Sequence, residues 1–472
     1  MERRWKVLSI TSVGVFMASL DLFIVNIAFP DIAADFSRAS ISDLSWVLNA
    51  YAIVFAALLV PAGRVADRIG RKRVFVSGLV VFTLASGLSA LAPSVPFLVA
   101  TRTLQAVGGA MMMPASLGLV LPAFPAEQRA LAVGIWSAVG GVAAALGPPI
   151  GGVLVELSWR WIFLVNLPIG LIVAAVALRS LDEARDPSST GRPDVLGALA
   201  LAGGIGLLTG SIVKGPDWGW SDPRVLVGFA AAALLVAGFV RRSARHPVPV
   251  IELPLLRVRS FAFGNLAALL FFAGFAAMLL AGVLLLTEVW GYSVLHAGLA
   301  LAPGPLTAAA FAAPAGGLGG RIGQRPVAAA GGLAFAASFV WLLAEVGPSP
   351  DYAGAFLPGL LIGGAGVGLV LGTLPTAVTT SLPPERFATG TAVFGMSRQL
   401  GSAIGVAVLV ALLADPAPGE LLDALQRGWA FMAGAGVAAA IAAVAIGPVS
   451  VGAEQPPPPP RGALAASPAG VG

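Results

Sequence analysis

The sequence contains no cysteine, which excludes disulfides, thiolate metal sites and cysteine nucleophiles. It has two histidines, His246 and His296, too few for a histidine-rich metal site. Lysine is confined to Lys6, Lys72 and Lys214, and none of them ends a G-x-x-x-x-G-K-[ST] string. Without a phosphate loop, ATP does not drive this protein through that machinery. Charge of either sign is scarce. Asp, Glu, Lys and Arg make up 11% of the 472 residues, against roughly 25% in a soluble domain.

Apolar residues fill the gap, at 57% of the chain. No soluble fold covers that much apolar surface, so the chain reads as an all-α membrane protein in contact with the lipid bilayer. Gly (59) and Pro (36) are abundant but lie inside the apolar runs, where membrane helices tolerate them. The net charge of +5 is a signal of membrane topology and implies no nucleic-acid partner. No cofactor and no metal is expected. The excess of arginine over lysine, with much Ala and Gly, fits a GC-rich bacterial genome and hence a bacterial cytoplasmic membrane.

A membrane helix needs about 20 apolar residues. Fourteen segments qualify: 7–29, 43–63, 74–93, 96–121, 130–155, 162–179, 194–214, 223–240, 261–286, 295–315, 326–346, 353–376, 388–413 and 428–449. The opening MERRWK resembles the basic flank of a signal peptide, but the apolar run behind it is too long for one, so it is expected to stay as the first helix. With the N-terminus inside, the inner segments and the tail hold 21 Lys and Arg and the outer segments five, namely Arg38, Arg160, Lys214, Arg224 and Arg427. That asymmetry and an even helix count predict both termini in the cytoplasm. From Glu454 the chain runs EQPPPPPRGALAASPAGVG, which predicts a polyproline-like disordered tail.

An internal repeat is visible. GRVADRIGRKR at 63–73 follows the second helix and GLGGRIGQR at 317–325 follows the tenth. Both loops join the second and third helices of a six-helix set, and their Arg-Ile-Gly strings are 253 residues apart. Two parallel halves follow, 1–180 and 256–450, with two helices inserted at 181–255 and the tail at 451–472.

At these residues a resemblance becomes specific. Gly63, Asp67, Arg68, Gly70, Arg71, Lys72 and Arg73 are similar to the loop motif of the major facilitator superfamily, G-x-x-x-D-R-x-G-R-[KR]-[KR]. Arg102-x-x-Gln105 and Gly108 resemble its fourth-helix motif, with Ala106 in place of a glycine. Gly147-Pro148-Pro149-Ile150-Gly151-Gly152 looks like the fifth-helix motif of antiporter members. With LDLFIVNIAFP at 20–30 and WRWIFLVNLPIG at 159–170, the chain resembles the fourteen-helix drug:proton antiporter branch. The resemblance implies a major facilitator fold and a proton-coupled exporter of amphipathic, lipophilic or cationic small molecules, working as a monomer. It departs at Gly320, which stands where the first half has Asp67, and at Thr287-Glu288, where the branch often has glutamine.

Asp21 is the sharpest signal in the residues themselves. It falls about 14 residues, or roughly 21 Å, from the inner end of its helix. A carboxylate there is expensive to keep charged, which makes it a candidate for proton uptake and release; the alternative is a structural, hydrogen-bonded Asp. Arg102 lies at a similar depth on an antiparallel helix and is its natural partner, or else a static tie to backbone carbonyls. Gln105 and Met112 or Met113 follow on the same face. Arg398 sits near the midplane, where it either lines the cavity or braces the second half. Phe16, Trp46, Tyr51, Phe271, Phe275 and Phe394 are candidate walls of an apolar, aromatic substrate site, each also open to a plain packing role.

Two strings read as gating elements. Pro148-Pro149 is expected to break or kink the end of the fifth helix, and Gly140, Gly141, Ala144, Ala145 and Gly147 allow close helix approach; the resemblance makes the string with Gly147, Pro148, Gly151 and Gly152 a seal and pivot between the halves, with plain helix packing as the alternative. Asp67 is expected to pair with loop arginines or to sit at a helix N-terminus, holding the inner side closed. Arg68, Arg71 and Arg73 are read as acting with it, and pure topological anchoring by Arg71, Lys72 and Arg73 is the alternative. A nutrient symporter is the alternative within transport. A membrane-embedded enzyme or receptor is the alternative outside it, and would need clustered nucleophiles, metal ligands or paired acids that the helices lack.

Overall fold

The computed structural model describes residues 2–125, 128–185, 191–382, 386–414 and 419–447. The expected tail lies outside them. Among the described residues, fourteen helices are long and apolar enough to cross a membrane. The first half holds α1 (Arg3–Ile27), α2 (Ile41–Ile69), α3 (Arg71–Ala90), α4 (Val95–Ala123), α5 (Leu131–Leu157) and α6 (Trp161–Ser180). The inserted pair is α7 (Val195–Trp218) and α8 (Pro223–Ser243). The second half holds α9 (Arg259–Val289), α10 (Val294–Ile322), α11 (Gln324–Glu345), α12 (Tyr352–Thr379), α13 (Thr389–Leu412) and α14 (Leu421–Val444).

The halves repeat in their packing as well as in sequence. Helix α4 lies against α2 and α3, as α12 lies against α10 and α11; α1 packs on α5 as α9 packs on α13. The turns after α2 and α10 are single glycines, Gly70 (φ 130°) and Gly323 (φ 94°). Such φ values strain any residue with a Cβ, so a one-residue reversal between two long helices requires glycine there. The loop string at 63–73 is therefore mostly helix. Gly63, Asp67 and Arg68 ride the last turns of α2, and Arg71 opens α3.

The halves meet along two seams, α2 against α13 and α5 against α10. Helix α7 packs on α2 and α13 and so covers the first seam, while α8 packs mainly on α7. Only 17% of the apolar window of α8 is buried, against 72% in α2, α9 and α13, so α8 presents most of its surface outward, to lipid. The inserted pair is held by polar contacts at both ends. Near the start of α2, Lys214 lies 2.9 Å from Asp43 and 3.3 Å from Asp217, and Ser42 donates to Asp217. At the other end Asp194 caps α7 through the Gly197 N–H and pairs with Arg242 of α8.

Helix α5 is continuous through Pro148 and Pro149 to Leu157. The expected break does not occur, although each proline removes one backbone donor. The neighbours explain why the residues around them are small. A Cβ on Gly147 would meet Phe23, and one on Gly151 would meet Ile24 and Ile27, all of α1. A Cβ on Gly152 would lie 2.9 Å from Leu295 Cα, and Gly298 of α10 abuts the Pro148 carbonyl. One turn of α5 thus touches α1 within its half and α10 across the seam.

Candidate functional site

Asp21, Arg102 and Gln105 form a closed ring in the core of the first half. Arg102 Nη1 donates to Asp21 Oδ2 at 2.5 Å and to Gln105 Oε1 at 2.6 Å, and Gln105 Nε2 donates to Asp21 Oδ1 at 2.9 Å. Arg102 Nε also donates to the Val47 carbonyl at 3.3 Å. Asp21 and Gln105 are fully buried and Arg102 is 1% exposed. Spacing makes the ring possible. Arg102 and Gln105 are three residues apart on α4 and share a face, and α1 crosses that face at Asp21.

The ring is roofed by aromatic carbon. The Arg102 guanidinium lies 4.3 Å from the Tyr51 ring centroid and 5.7 Å from that of Phe163. Tyr51 is itself fully buried and stacked on Phe55 at 5.8 Å. Its hydroxyl has no partner among the described residues, and neither does the side-chain amide of Asn49. An ion pair taken out of water holds only with good geometry and further hydrogen bonds, and the Arg102 side chain donates three, to Asp21, Gln105 and the Val47 carbonyl.

The other candidate residues distribute as follows. Met112 is buried between Gly14 of α1 and Gly78 of α3, and Met113 is partly buried beside it. Phe16 lines an apolar cleft of about 250 Å³ with Ser12, Val13, Val139 and Val142, between α1 and α5. Trp46 lies against Gly210 of α7. In the second half Phe271 is fully buried, 4.8 Å from Phe335 and 6.4 Å from the partly buried Phe275. Phe394 is buried on α13. The Arg398 guanidinium lies 5.5 Å from the Phe272 ring centroid. The structure thus brings Asp21, Arg102, Gln105 and Tyr51 together in one half, and Phe271, Phe275 and Arg398 on α9 and α13 in the other.

The basic string at the end of α2 is tied within its own half. Arg71 Nε donates to Asp67 Oδ1 at 2.8 Å, and Arg71 Nη1 donates to the Gly118 carbonyl of α4 at 2.9 Å. Glu183, just after α6, accepts from the Lys72 and Arg73 N–H groups and so caps α3. Arg68 is exposed. The contact that reaches across the halves is one that sequence reasoning missed. Glu252, in the connector from α8 to α9, lies 3.3 Å from Arg64 of α2 and 3.2 Å from Arg386 just before α13. An acid in a segment crowded with arginines was the available signal.

At the opposite face Asp31, beyond α1, is half-buried, and burial pushes its carboxyl above the usual range, with the Glu288 carboxylate adding to the effect. Nearby Asp35 accepts from Trp159 Nε1 and from Arg160, each at 2.8 Å. Those bonds, the Trp159 one foremost, hold its carboxyl below the usual range.

Known proteins share this plan. Multidrug resistance protein Stp of Mycobacterium tuberculosis is 34% identical over 419 residues, spanning 88% of this chain and 77% of that protein. A probable actinorhodin transporter of Streptomyces coelicolor is 35% identical over 456 residues, spanning 92% and 77%. Among solved structures, a bacterial homolog of the human lysosomal transporter Spinster superposes with a TM-score of 0.65 at 18% identity, covering 94% of this chain and 96% of that one. The sequence profile of the Major Facilitator Superfamily matches residues 11–406 and 266–470, and with fourteen membrane helices in two repeated halves the chain belongs to that family.

Proposed function

We propose that this protein exports amphipathic small molecules across a bacterial cytoplasmic membrane in exchange for protons. The observation that carries the reading is the fully buried Asp21, held by Arg102 and Gln105 in a closed ring. A membrane-embedded acid with one cationic partner is the simplest group that takes a proton from one side and yields it to the other. The names of the relatives, one for multidrug resistance and one for actinorhodin transport, supply the substrate class. The protein is read as a monomer with both termini and the basic ends of α2 and α3 in the cytoplasm. Reporter fusions after Arg73 and Arg245 test that orientation and should read cytoplasmic.

In this reading the halves 1–180 and 256–450 rock about the α2–α13 and α5–α10 seams, and the inserted helices of 181–255 ride along the first. Gly147, Pro148, Gly151 and Gly152 serve as the pivot at one end. Asp67 and Arg71 keep the α2–α4 end rigid, and Glu252 fastens the halves at that same face. The test is dye movement in proteoliposomes of the purified protein. An imposed pH gradient should drive an aromatic dye against the proton flow, and a protonophore should stop it. Dye moving with the protons makes the protein a symporter, and movement indifferent to the gradient removes proton coupling.

A further inference from the structure

Two arginines lie deep in the bundle, and their surroundings differ. Arg102 has three acceptors, Asp21, Gln105 and the Val47 carbonyl. The guanidinium of Arg398 has no hydrogen-bond or ion-pair acceptor among the described residues, and its one contact of note is the Phe272 ring. Arg398 lies nine residues into the α13 span that begins at Thr389, about 14 Å along the axis, beyond the reach of a snorkelling side chain. An arginine stays charged at any pH of interest and carries five N–H donors. A brace would direct those donors at backbone carbonyls, and none accepts.

The direction of the side chain follows from its helix. Ser397 bonds to Asn265 of α9, and Gly401 and Gly405 abut the Leu269 and Ala273 carbonyls of α9. Gly395 faces Leu59 of α2 across the seam. At about 100° per residue Arg398 falls between those two directions, in the wedge where the first half meets the second. It is partly buried there. The wall beside it is aromatic: Phe272 is 5.6 Å from Phe271 and 5.7 Å from Phe275, centroid to centroid. A partly exposed planar cation with no protein acceptor among the described residues, beside a stack of rings, fits a flat aromatic molecule bearing an ionised oxygen, which would take the guanidinium in a bidentate pair and lay its face on the phenylalanines.

We propose that Arg398 is a substrate-recognition residue and that the preferred substrates are aromatic acids, carboxylates or phenolates, rather than aromatic cations. The inference refines the substrate class of the export reading, but its binding arm is independent of transport. The test compares 2-naphthoate with its neutral counterpart 2-naphthamide, binding to the full-length protein in nanodiscs, with protein-free discs subtracted. The wild type should bind the acid about tenfold or more tightly than the amide, the effect of one charge-assisted pair. Arg398→Gln should erase that preference, with the acid losing far more affinity than the amide. Arg398→Lys, which keeps the charge and loses the planar fork, should retain part of it. Equal binding of acid and amide by the wild type overturns the proposal, and so does an undiminished preference in Arg398→Gln. If Arg398→Gln does not insert, the lysine variant decides, since an unchanged preference there is equally fatal. A wild type that binds the acid but moves nothing under a pH gradient defeats the export reading and leaves this one standing. Gradient-driven export with no preference for the acid does the reverse.

Discussion

Arg102 and Asp21, 81 residues apart in sequence, meet at 2.5 Å with both side chains removed from solvent. Removing one member of such a pair leaves an uncompensated buried charge, whereas removing both leaves none. Arg102→Ala should therefore destabilise the protein by about 3–5 kcal/mol at neutral pH. Asp21→Ala combined with Arg102→Ala should recover most of that loss. Thermal unfolding of the wild type and the variants in detergent measures this. A double variant no more stable than Arg102→Ala contradicts a coupled pair.

Glu252 reaches both halves through Arg64 and Arg386. All three are partly exposed, so each link is worth about 0–1 kcal/mol, and Glu252→Gln should leave stability nearly unchanged. Its effect should appear in the conformational equilibrium, where about 1 kcal/mol shifts populations roughly fivefold. The native chain has no cysteine, so spin labels on cysteines introduced at Ile69 and Ile322, exposed at the ends of α2 and α10, report the opening cleanly. Glu252→Gln should enrich the longer distance. An unchanged distance distribution leaves Glu252 a surface charge without a gating role.

Asp31 gives a pH signature. Burial raises its carboxyl above the usual carboxylate range, so the folded state binds the proton more tightly than the unfolded state. Stability then falls as pH rises through that interval, and the penalty is complete at neutral pH. Asp31→Asn should raise the melting temperature at pH 7, and the gain should vanish as pH drops below about 4. A gain that persists at low pH would assign the effect to packing instead.

Most of the fold is legible in the sequence, because a 20-residue apolar run has few alternatives in a membrane protein. All fourteen spans appear where hydropathy places them. The ends of α2 and α10 and the start of α14 differ most. The sequence reading stops at 63 and 315, but the helices continue to Ile69 and Ile322, since Arg, Asp and Gly lower hydropathy without ending a helix that extends past the hydrocarbon. Helix α14 begins at Leu421 rather than 428 for the same reason, with Asp423 and Arg427 in its first turns. The meeting of Asp21 and Arg102 is readable because antiparallel helices place residues by depth. The closing amide of Gln105 is suggested only by its shared face. Glu252 is not readable from periodicity, as it sits in an irregular connector with no counterpart in the repeat. The continuity of α5 through two prolines depends on neighbours in α1 and α10 that the local sequence does not name.

The most direct test of the central claim is proton movement itself. Proteoliposomes carrying a trapped pH dye are given an outward substrate gradient, and the change in internal pH is followed for the wild type and Asp21→Asn. The asparagine is nearly isosteric and mimics the protonated acid; it strands the Arg102 cation and so lowers stability, but its amide oxygen still accepts from Arg102, and insertion and substrate binding are checked before flux is compared. The wild type should move protons opposite to substrate, and Asp21→Asn should bind substrate with no coupled proton flux. Wild-type proton flux in Asp21→Asn would contradict the assignment of Asp21 as the proton carrier.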